Sequence, residues 1–364
     1  MEAQAIASIE TRVERQGIVL ESDGSETEAE GVLNPACART RDGTLLLYPR
    51  AVAAGNVSRI EIAEANQDGG GWQRKGFALE PRPPSEVRDV PGGYGCEDPR
   101  VTFVPLLDAY LMAYTAFGPL GPRIAVAVSQ DGYAWERLGL ADFSATKLAR
   151  GDDKDAAFFP EPVISPAGVR SFAFYHRPMQ YVYELDAASA VPRILARPPR
   201  ERECTRIAYV PVDAVLRDRS ALLQVAESEL VLDASGDWGR VKNGGGTPPV
   251  RIDEGWFSCF HGVDGMYDAA GRFTGMRYSA GIVIHDIERP HIVLYRSPQP
   301  ILMPETLHEC NGVVSDVVFP TAIDVSSGGS RDYDVYYGMA DSRIGRLRVQ
   351  LGASVRKEAE ESAA

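Results

Sequence analysis

The chain has 364 residues, of which 44% are hydrophobic, enough for one large domain or two ordinary ones. Its 51 acidic residues outnumber 38 basic ones and give a formal net charge of −13. We therefore expect no nucleic acid partner and no anionic membrane surface, since both require a basic face. The longest apolar stretch, residues 101–117, is interrupted by Asp108 and is shorter than the roughly 20 residues of a membrane-spanning helix.

The first residues, MEAQAIASIETR, lack the basic and apolar regions of an export signal. The five cysteines are an odd and widely spread set: Cys37, Cys96, Cys204, Cys259 and Cys310. Free thiols in a reducing compartment fit this pattern best, so we expect a cytoplasmic protein.

Both ends of the chain differ from its middle. Residues 1–30 form an N-terminal segment whose first 16 residues are predicted to be an amphipathic helix. Residues 352–364 are predicted to be a charged, frayed tail. Between them, 35 glycines and 25 prolines across the whole chain are scattered among short aromatic and β-branched runs, which is typical of many short strands.

A short apolar run that ends in an aromatic residue recurs five times between residues 31 and 351. The aromatic anchors are Tyr48, Tyr114, Tyr175, Phe260 and Tyr337, at spacings of 66, 61, 85 and 77 residues. Each interval is long enough for about four strands, so the pattern predicts an all-β fold, a single-domain five-bladed β-propeller over residues 31–351. Two β-sandwiches side by side are the alternative. In a propeller, polar residues that close each copy meet at one axial channel.

Several kinds of chemistry have no support in the sequence. No glycine-rich loop opens a helix, no Cys-x-x-Cys pair occurs, and no Gly-x-Ser-x-Gly turn is present. His285 and His291 have no common zinc-site spacing. We therefore expect neither a metal nor an organic cofactor.

One acidic segment is the best candidate for catalysis. Glu97 and Asp98 precede Pro99, which fixes the local backbone and holds Asp98 in one direction. An ordinary acidic turn is the alternative interpretation. Lys154, Arg177 and His261 follow later in the chain, and if they share the channel they form a cationic pocket beside Asp98. Each of these three, taken alone, also fits a surface or core position.

The ordered motifs from Val32 to Val349 resemble those of glycoside hydrolase family 130, the β-mannoside phosphorylases and related β-mannosidases. The segments that carry the resemblance are residues 33–36, 47–50, 56–60, 96–100, 154–161, 176–178, 246–249, 255–256, 261–263, 295–297, 300–302, 318–320 and 336–341. The five-bladed propeller of that family agrees with the number of repeats.

The resemblance implies that Asp98 is the general acid of an inverting reaction on a β-mannosidic bond, acting through a sugar hydroxyl. It implies that Lys154, Arg177 and His261 bind inorganic phosphate as co-substrate. The substrate-binding positions that it implies are Asn34, Arg50, Ser58, Arg59, Glu97, His176 and Asp341. The expected partners are a β-manno-oligosaccharide, phosphate and, as an open question, further copies of the chain.

Three features depart from the family pattern. Pro49 precedes Arg50, Cys96 replaces a smaller or β-branched residue, and residues 197–242 are longer than usual. The long stretch is interpreted as a lid or an oligomer contact.

Phosphorolysis is favoured over hydrolysis because phosphate is already an anion and needs cations rather than a base. An inverting hydrolase needs a second carboxylate to activate water. The alternatives are therefore an inverting β-mannosidase that places such a carboxylate nearby, or a non-catalytic carbohydrate-binding propeller without need of Asp98.

Overall fold

The structure is a computed structural model that describes residues 4–66, 70–148, 151–179, 187–325 and 331–357. Strands predominate in these ranges, and the all-β prediction is confirmed. The described helices are α1 (Ala187–Leu195), α2 (Val212–Arg217) and α3 (Leu307–Cys310), with 3₁₀ turns at Glu26–Glu28, Pro105–Leu107, Pro199–Glu201 and Arg219–Leu223. None of the described helices has the length and apolar character to cross a membrane.

The strands form five consecutive groups, each built from antiparallel neighbours. Group one contains β2 (Gly31–Arg39), β3 (Leu45–Ala53), β4 (Val57–Ala65) and β5 (Trp72–Leu79). Group two contains β6 (Tyr94–Val104), β7 (Ala109–Gly118), β8 (Gly121–Ser129) and β9 (Glu136–Leu140). Group three contains β10 (Asp153–Phe158), β11 (Val163–Ile164), β12 (Arg170–Pro178), β13 (Thr205–Pro211) and β14 (Glu227–Leu232).

Group four contains β15 (Lys242–Gly245), β16 (Val250–Ile252), β17 (Gly255–Tyr267), β18 (Phe273–His285) and β19 (Val293–Arg296). Group five contains β20 (Val318–Asp324), β21 (Asp332–Met339) and β22 (Arg343–Arg356), with β1 (Ile6–Glu21) beside β22. Groups one and two share a single sheet, because β4 and β6 pair in parallel at residues 57–58 and 94–95.

The first strands of the groups lie next to one another. Strand β2 contacts β6 and β20, and β10 contacts β6 and β15. Polar side chains that are far apart in the sequence therefore meet where these strands come together.

The five aromatic anchors of the repeat are core residues. Tyr48, Tyr114, Tyr175, Phe260 and Tyr337 lie on β3, β7, β12, β17 and β21, the second long strand of each group, and all are buried. The sequences of these strands are nearly continuous apolar runs, because both faces of each strand are buried against neighbouring groups. The repeat thus marks the second long strand of each group, and three of these strands also carry the site candidates Arg50, Arg177 and His261.

The predicted N-terminal helix is wrong. Residues 6–21 form β1, which runs antiparallel to β22 from Ile6 opposite Arg356 to Glu21 opposite Arg343. The open edge of β22 offers this segment backbone partners along its length, and such pairing overrides a weak helical periodicity. The N-terminal segment therefore belongs to the sheet of group five. Strand β22 also extends past residue 352, whereas residues 358–364 of the predicted tail lie outside the described residues.

The interpretation of residues 197–242 as a lid is also wrong. This stretch contains β13, α2 and β14, and β13 pairs with β12 while β14 pairs with β13. It therefore completes the sheet of group three. An oligomer contact at this position stays a prediction.

Three first strands carry the same backbone irregularity. Asn34, Asp98 and Asp155 all have positive φ angles, of 40°, 46° and 62°, and each coincides with a register shift. Asn and Asp tolerate this left-handed conformation better than other residues that have a Cβ. Bulges of this kind re-aim a side chain and are frequent beside active sites.

Candidate active site

Asp98 lies at the bulge of β6 with 11% of its side chain exposed. Asn34 Nδ2 on β2 donates to its Oδ1 at 3.0 Å, and Arg50 Nη1 on β3 donates to the same oxygen at 3.1 Å. Within the described part of the chain, Oδ2 accepts no hydrogen bond. One oxygen of Asp98 is thus held in place, and the other is left for a ligand.

Arg50 connects the polar groups around Asp98. Its Nε donates to Ser58 Oγ at 2.9 Å, and its Nη2 donates to Asn56 Oδ1 at 3.2 Å and Glu97 Oε1 at 3.0 Å. Ser58 and Glu97 are both buried. They therefore orient Arg50, and through it Asp98.

Lys154 belongs to this same cluster. Its Nζ donates to Glu97 Oε2 at 2.9 Å, although its backbone lies opposite Arg177 in the β10–β12 ladder. Burial lowers the pKa of Lys154, but the carboxylates of Glu97 and Asp98 outweigh that effect and raise it. The structure thus places Lys154 with Asp98 rather than with Arg177 and His261, the partners predicted from the sequence.

Two carboxyls of this cluster titrate differently. Burial raises the pKa of Asp98, but Arg50, Arg100 and Lys154 together bring it below the ordinary value. Burial and the nearby charge of Asp98 raise the pKa of Asp341 to about 6. Asp98 is therefore ionised in the ligand-free protein at neutral pH, and Asp341 is the carboxyl that is protonated more easily.

Arg177 forms a second cluster, with carboxylates on two sides. Its Nε donates to Asp155 Oδ2 at 2.6 Å and its Nη1 donates to Glu203 Oε2 at 2.5 Å. His261 Nε2 lies 3.8 Å from the same Asp155 oxygen. All four side chains are buried, so Arg177 is already neutralised before any ligand arrives.

His261 is neutral in this cluster. Burial lowers its pKa to about 3, and the positive charges of Arg177 and Lys242 act in the same direction, against the opposing effect of Asp155. Its Nδ1 lies 3.3 Å from the carbonyl oxygen of Gly245, which can only accept, so Nδ1 carries the proton. Nε2 is buried and accepts no hydrogen bond from the described residues, so its lone pair can accept one from a ligand that reaches it.

Lys242 is a cation of this region that the sequence analysis missed. Its Nζ lies 5.3 Å from the centre of the Tyr278 ring, and no carboxylate of the described residues is within ion-pair distance. Lys242 begins β15 and lies just before residues 246–249, one of the segments that resemble the family, and this position could have identified it from the sequence.

Arg100 joins the two clusters and was also missed. Its Nη1 donates to the backbone oxygen of Asp98 at 2.7 Å, and its Nε donates to the oxygen of Gly246 at 3.1 Å. Its positive charge lowers the pKa values of both Asp98 and Asp155. Arg100 therefore connects the bulge of β6 to the end of β15, the strand that begins at Lys242.

Two predicted substrate-binding residues are not brought to Asp98. Arg59 follows Ser58 on β4 and so faces the opposite side of the strand. Its Nε lies 3.8 Å from Glu80 Oε1, and it lines a separate cavity of about 370 Å³ with Trp135.

His176 is the other residue that lies away from Asp98. It is fully buried, with Nδ1 2.8 Å from Asp153 Oδ2 and Nε2 2.8 Å from Ser228 Oγ. Both ring nitrogens are thus occupied within the sheet. In the described structure His176 braces group three.

A family profile described as β-1,4-mannooligosaccharide phosphorylase, that of glycoside hydrolase family 130, matches residues 4–183 and 224–352. A β-1,2-mannobiose phosphorylase of Thermoanaerobacter sp. (strain X514) is 28% identical over 269 residues, 72% of this chain and 69% of that protein. A β-1,4-mannooligosaccharide phosphorylase of Ruminococcus albus is 35% identical over 107 residues, 29% of this chain and 30% of that protein.

Solved structures show the same fold at low sequence identity. A β-1,2-mannobiose phosphorylase from Listeria innocua, solved with β-1,2-mannobiose, has a TM-score of 0.59 and 22% identity, covering 94% of this chain and 91% of that one. A member described among hydrolases that target β-1,2 mannosidic linkages in Candida mannan has a TM-score of 0.67 and 19% identity, covering 96% and 95%. The profile match spans well over half of the sequence. The chain therefore belongs to glycoside hydrolase family 130, the family of the β-mannoside phosphorylases, and is an enzyme of that type.

Proposed function

We propose that the protein cleaves a β-mannosidic bond of a manno-oligosaccharide with inorganic phosphate and releases α-mannose 1-phosphate. One observation carries this proposal. Asp98 is a partly exposed carboxylate, with Asp341 close by, and it lies beside a second cluster in which Lys242 and Nε2 of His261 make no hydrogen bond to a carboxylate of the described residues. The first cluster suits a sugar, and the second suits an anion that attacks from the other side.

In the proposed reaction, phosphate attacks the anomeric carbon as the bond to the leaving sugar oxygen breaks, so the configuration inverts. Asp98 supplies the proton to that oxygen through a sugar hydroxyl. Hydrogenphosphate loses one proton when it becomes mannose 1-phosphate, and this proton restores Asp98. The positive charges that keep Asp98 ionised in the free enzyme are shared with the substrates once these bind, which favours its protonated form.

His261 fits hydrogenphosphate in particular. Its Nε2 is an acceptor with no donor among the residues that the structure describes, and hydrogenphosphate has one O–H group to donate. Lys242 supplies positive charge, and Arg177 can donate from the guanidinium N–H groups that do not bond Asp155 or Glu203. Phosphate is a co-substrate in this account, and we propose that no metal is needed.

Hydrolysis by an inverting β-mannosidase is the second candidate, and one observation favours it. Asp155 and Glu203 place two carboxylates in the cluster proposed for phosphate, where a hydrolase needs a base for water. Both, however, are tied to Arg177, and an arginine-bound carboxylate is a weak base. Phosphorolysis is therefore the main activity that we propose.

We also propose that the five strand groups are the five blades of a closed propeller, with Asp98 at one mouth of its channel. The contacts among the first strands support this arrangement. The five unpaired cysteines support a cytoplasmic location.

The test uses purified protein with β-1,2- and β-1,4-mannobiose in parallel, with and without orthophosphate. We expect mannose 1-phosphate only when phosphate is present, and from one of the two linkages in preference. If the protein released the same amount of free mannose with and without phosphate, and no mannose 1-phosphate, it would be a hydrolase instead.

A further inference from the structure

Glu203 holds Arg177 from a segment just ahead of β13. Its side chain is 7% exposed, and its Oε2 lies 2.5 Å from Arg177 Nη1. Its backbone oxygen accepts a hydrogen bond from Asn243 N at 3.0 Å, next to Lys242 on β15. Glu203 is therefore fixed by its backbone at the edge of the cluster that we propose for phosphate.

Glu203 comes from a part of the chain that the family profile does not match. Arg177 lies inside the matched range 4–183, and Glu203 lies in the gap between residues 184 and 223. The matched range thus includes Arg177 and Asp155, but not Glu203, the second carboxylate bound to Arg177. Glu203 therefore lies in a stretch of this chain that the profile does not describe.

The charges of the cluster show what this pair does to an incoming anion. Arg177 carries one positive charge, Asp155 and Glu203 carry two negative charges, and His261 is neutral. The sum over these four buried side chains is −1, so the positive charge that attracts phosphate comes from Lys242, and phosphate would add negative charge beside the two carboxylates. Each pair of adjacent guanidinium nitrogens that can bind phosphate with two donors includes Nε or Nη1, so the bidentate contact becomes stronger if one carboxylate gives up its bond.

We propose that Glu203 competes with phosphate for Arg177 and so determines how strongly this enzyme selects phosphate as its acceptor. This inference rests on the proposed function. Asp155 is the less suitable competitor, because it sits on the bulge of β10 and bonds Nε, the inner nitrogen of the guanidinium. Glu203 bonds Nη1, at the end of the guanidinium.

The experiment measures the binding of inorganic phosphate by calorimetry and the Michaelis constants for phosphate and mannobiose. Wild type is compared with E203Q, which keeps the shape and removes the charge, and with E203A in case the glutamine variant does not fold. E161Q is the matched control, since it removes a carboxylate from the exposed pair of Glu161 with Arg251. Thermal melts establish that each variant is folded.

We expect E203Q and E203A to bind phosphate about tenfold tighter or more, since a hydrogen bond to a charged group is worth about that factor. The Michaelis constant for phosphate should fall in parallel, that for mannobiose should change less than about twofold, and E161Q should match wild type. Unchanged or weaker phosphate binding in both folded variants, with mannose 1-phosphate still formed, would overturn this inference alone. Absence of phosphate binding in wild type and variants alike would overturn the proposed function with it.

Discussion

Asp98 and Asp155 occupy equivalent bulges on neighbouring first strands, yet their surroundings give them different roles. Asp98 is 11% exposed and shares its cations with Glu97, whereas Asp155 is 3% exposed and is bound directly to Arg177. Burial opposes ionisation of both, and nearby positive charges lower the pKa of each below its ordinary value. The same backbone device therefore gives a reachable acid in one place and a buried counter-ion in the other. Access and partners, rather than residue type or strand position, separate the two.

The largest expected effect is the loss of turnover caused by Asp98→Asn. Asparagine keeps the shape but cannot transfer the proton, and general acid catalysis is typically worth about 10²–10⁴-fold. We expect kcat to fall at least about 100-fold, measured as mannose 1-phosphate released, with the melting temperature nearly unchanged. Asp108→Asn is the control, because Asp108 also has a positive φ, of 48°, but lies exposed in a turn. Near-normal turnover in D98N would move the acid elsewhere, with Glu97 next to be tested.

Asp155→Asn is expected to lower the free energy of unfolding rather than the turnover. Removing one partner of a buried ion pair typically costs about 3–5 kcal/mol, although Glu203 still holds Arg177 here and keeps the cost near the lower value. Urea unfolding should show a loss of about 3 kcal/mol. If D155N were as stable as wild type while its turnover fell as far as that of D98N, the distinction between the two aspartates would fail.

Lys242→Gln should weaken phosphate use by about tenfold. A charge-assisted hydrogen bond is worth about 1.5–3 kcal/mol, and no carboxylate of the described structure compensates for Lys242. The Michaelis constant for phosphate should rise while that for mannobiose stays within about twofold. Lys75→Gln, at a surface pair with Glu64, controls for loss of one positive charge. Equal changes for both substrates would contradict separate sugar and anion clusters.

The last expected effect concerns Asp341 and appears only when pH is varied. Its folded-state pKa is raised to about 6 from an ordinary value of 3.8, so its protonated form favours the folded state. The stability that this provides is complete below about pH 4 and is lost as pH rises through 6. Wild type should therefore lose stability relative to Asp341→Asn across that window, by at most about 3 kcal/mol. Melting temperatures of both proteins from pH 4 to 8 measure the difference, and a gap that does not vary with pH would refute the assigned pKa.

Part of this arrangement could be predicted from the sequence. The repeated aromatic anchors such as Tyr48 and Tyr175 predict strands because buried strands read as apolar runs, and both residues are buried on strands. Asp98 and Arg50 were found through their motifs and do meet in space. The strand β1 was missed because its partner β22 lies at the other end of the chain.

The grouping of the cations could not be predicted from the sequence. Lys154 and Asp155 are neighbours, and the positive φ of Asp155 sends their side chains to different clusters. Strand alternation places Arg59 away from Ser58, a consequence that the motif alone does not reveal. Glu203 has no motif, and its contact with Arg177 depends on tertiary packing.

The most direct test of the two-cluster account is a crystal structure of the D98N variant with mannobiose and phosphate. The account predicts a mannose ring against residue 98, Asn34 and Arg50, with phosphate bound by Lys242, His261 and Arg177 and the Glu203–Arg177 bond opened. A structure with phosphate elsewhere, the Glu203–Arg177 bond intact and a water molecule in line with the anomeric carbon would contradict it.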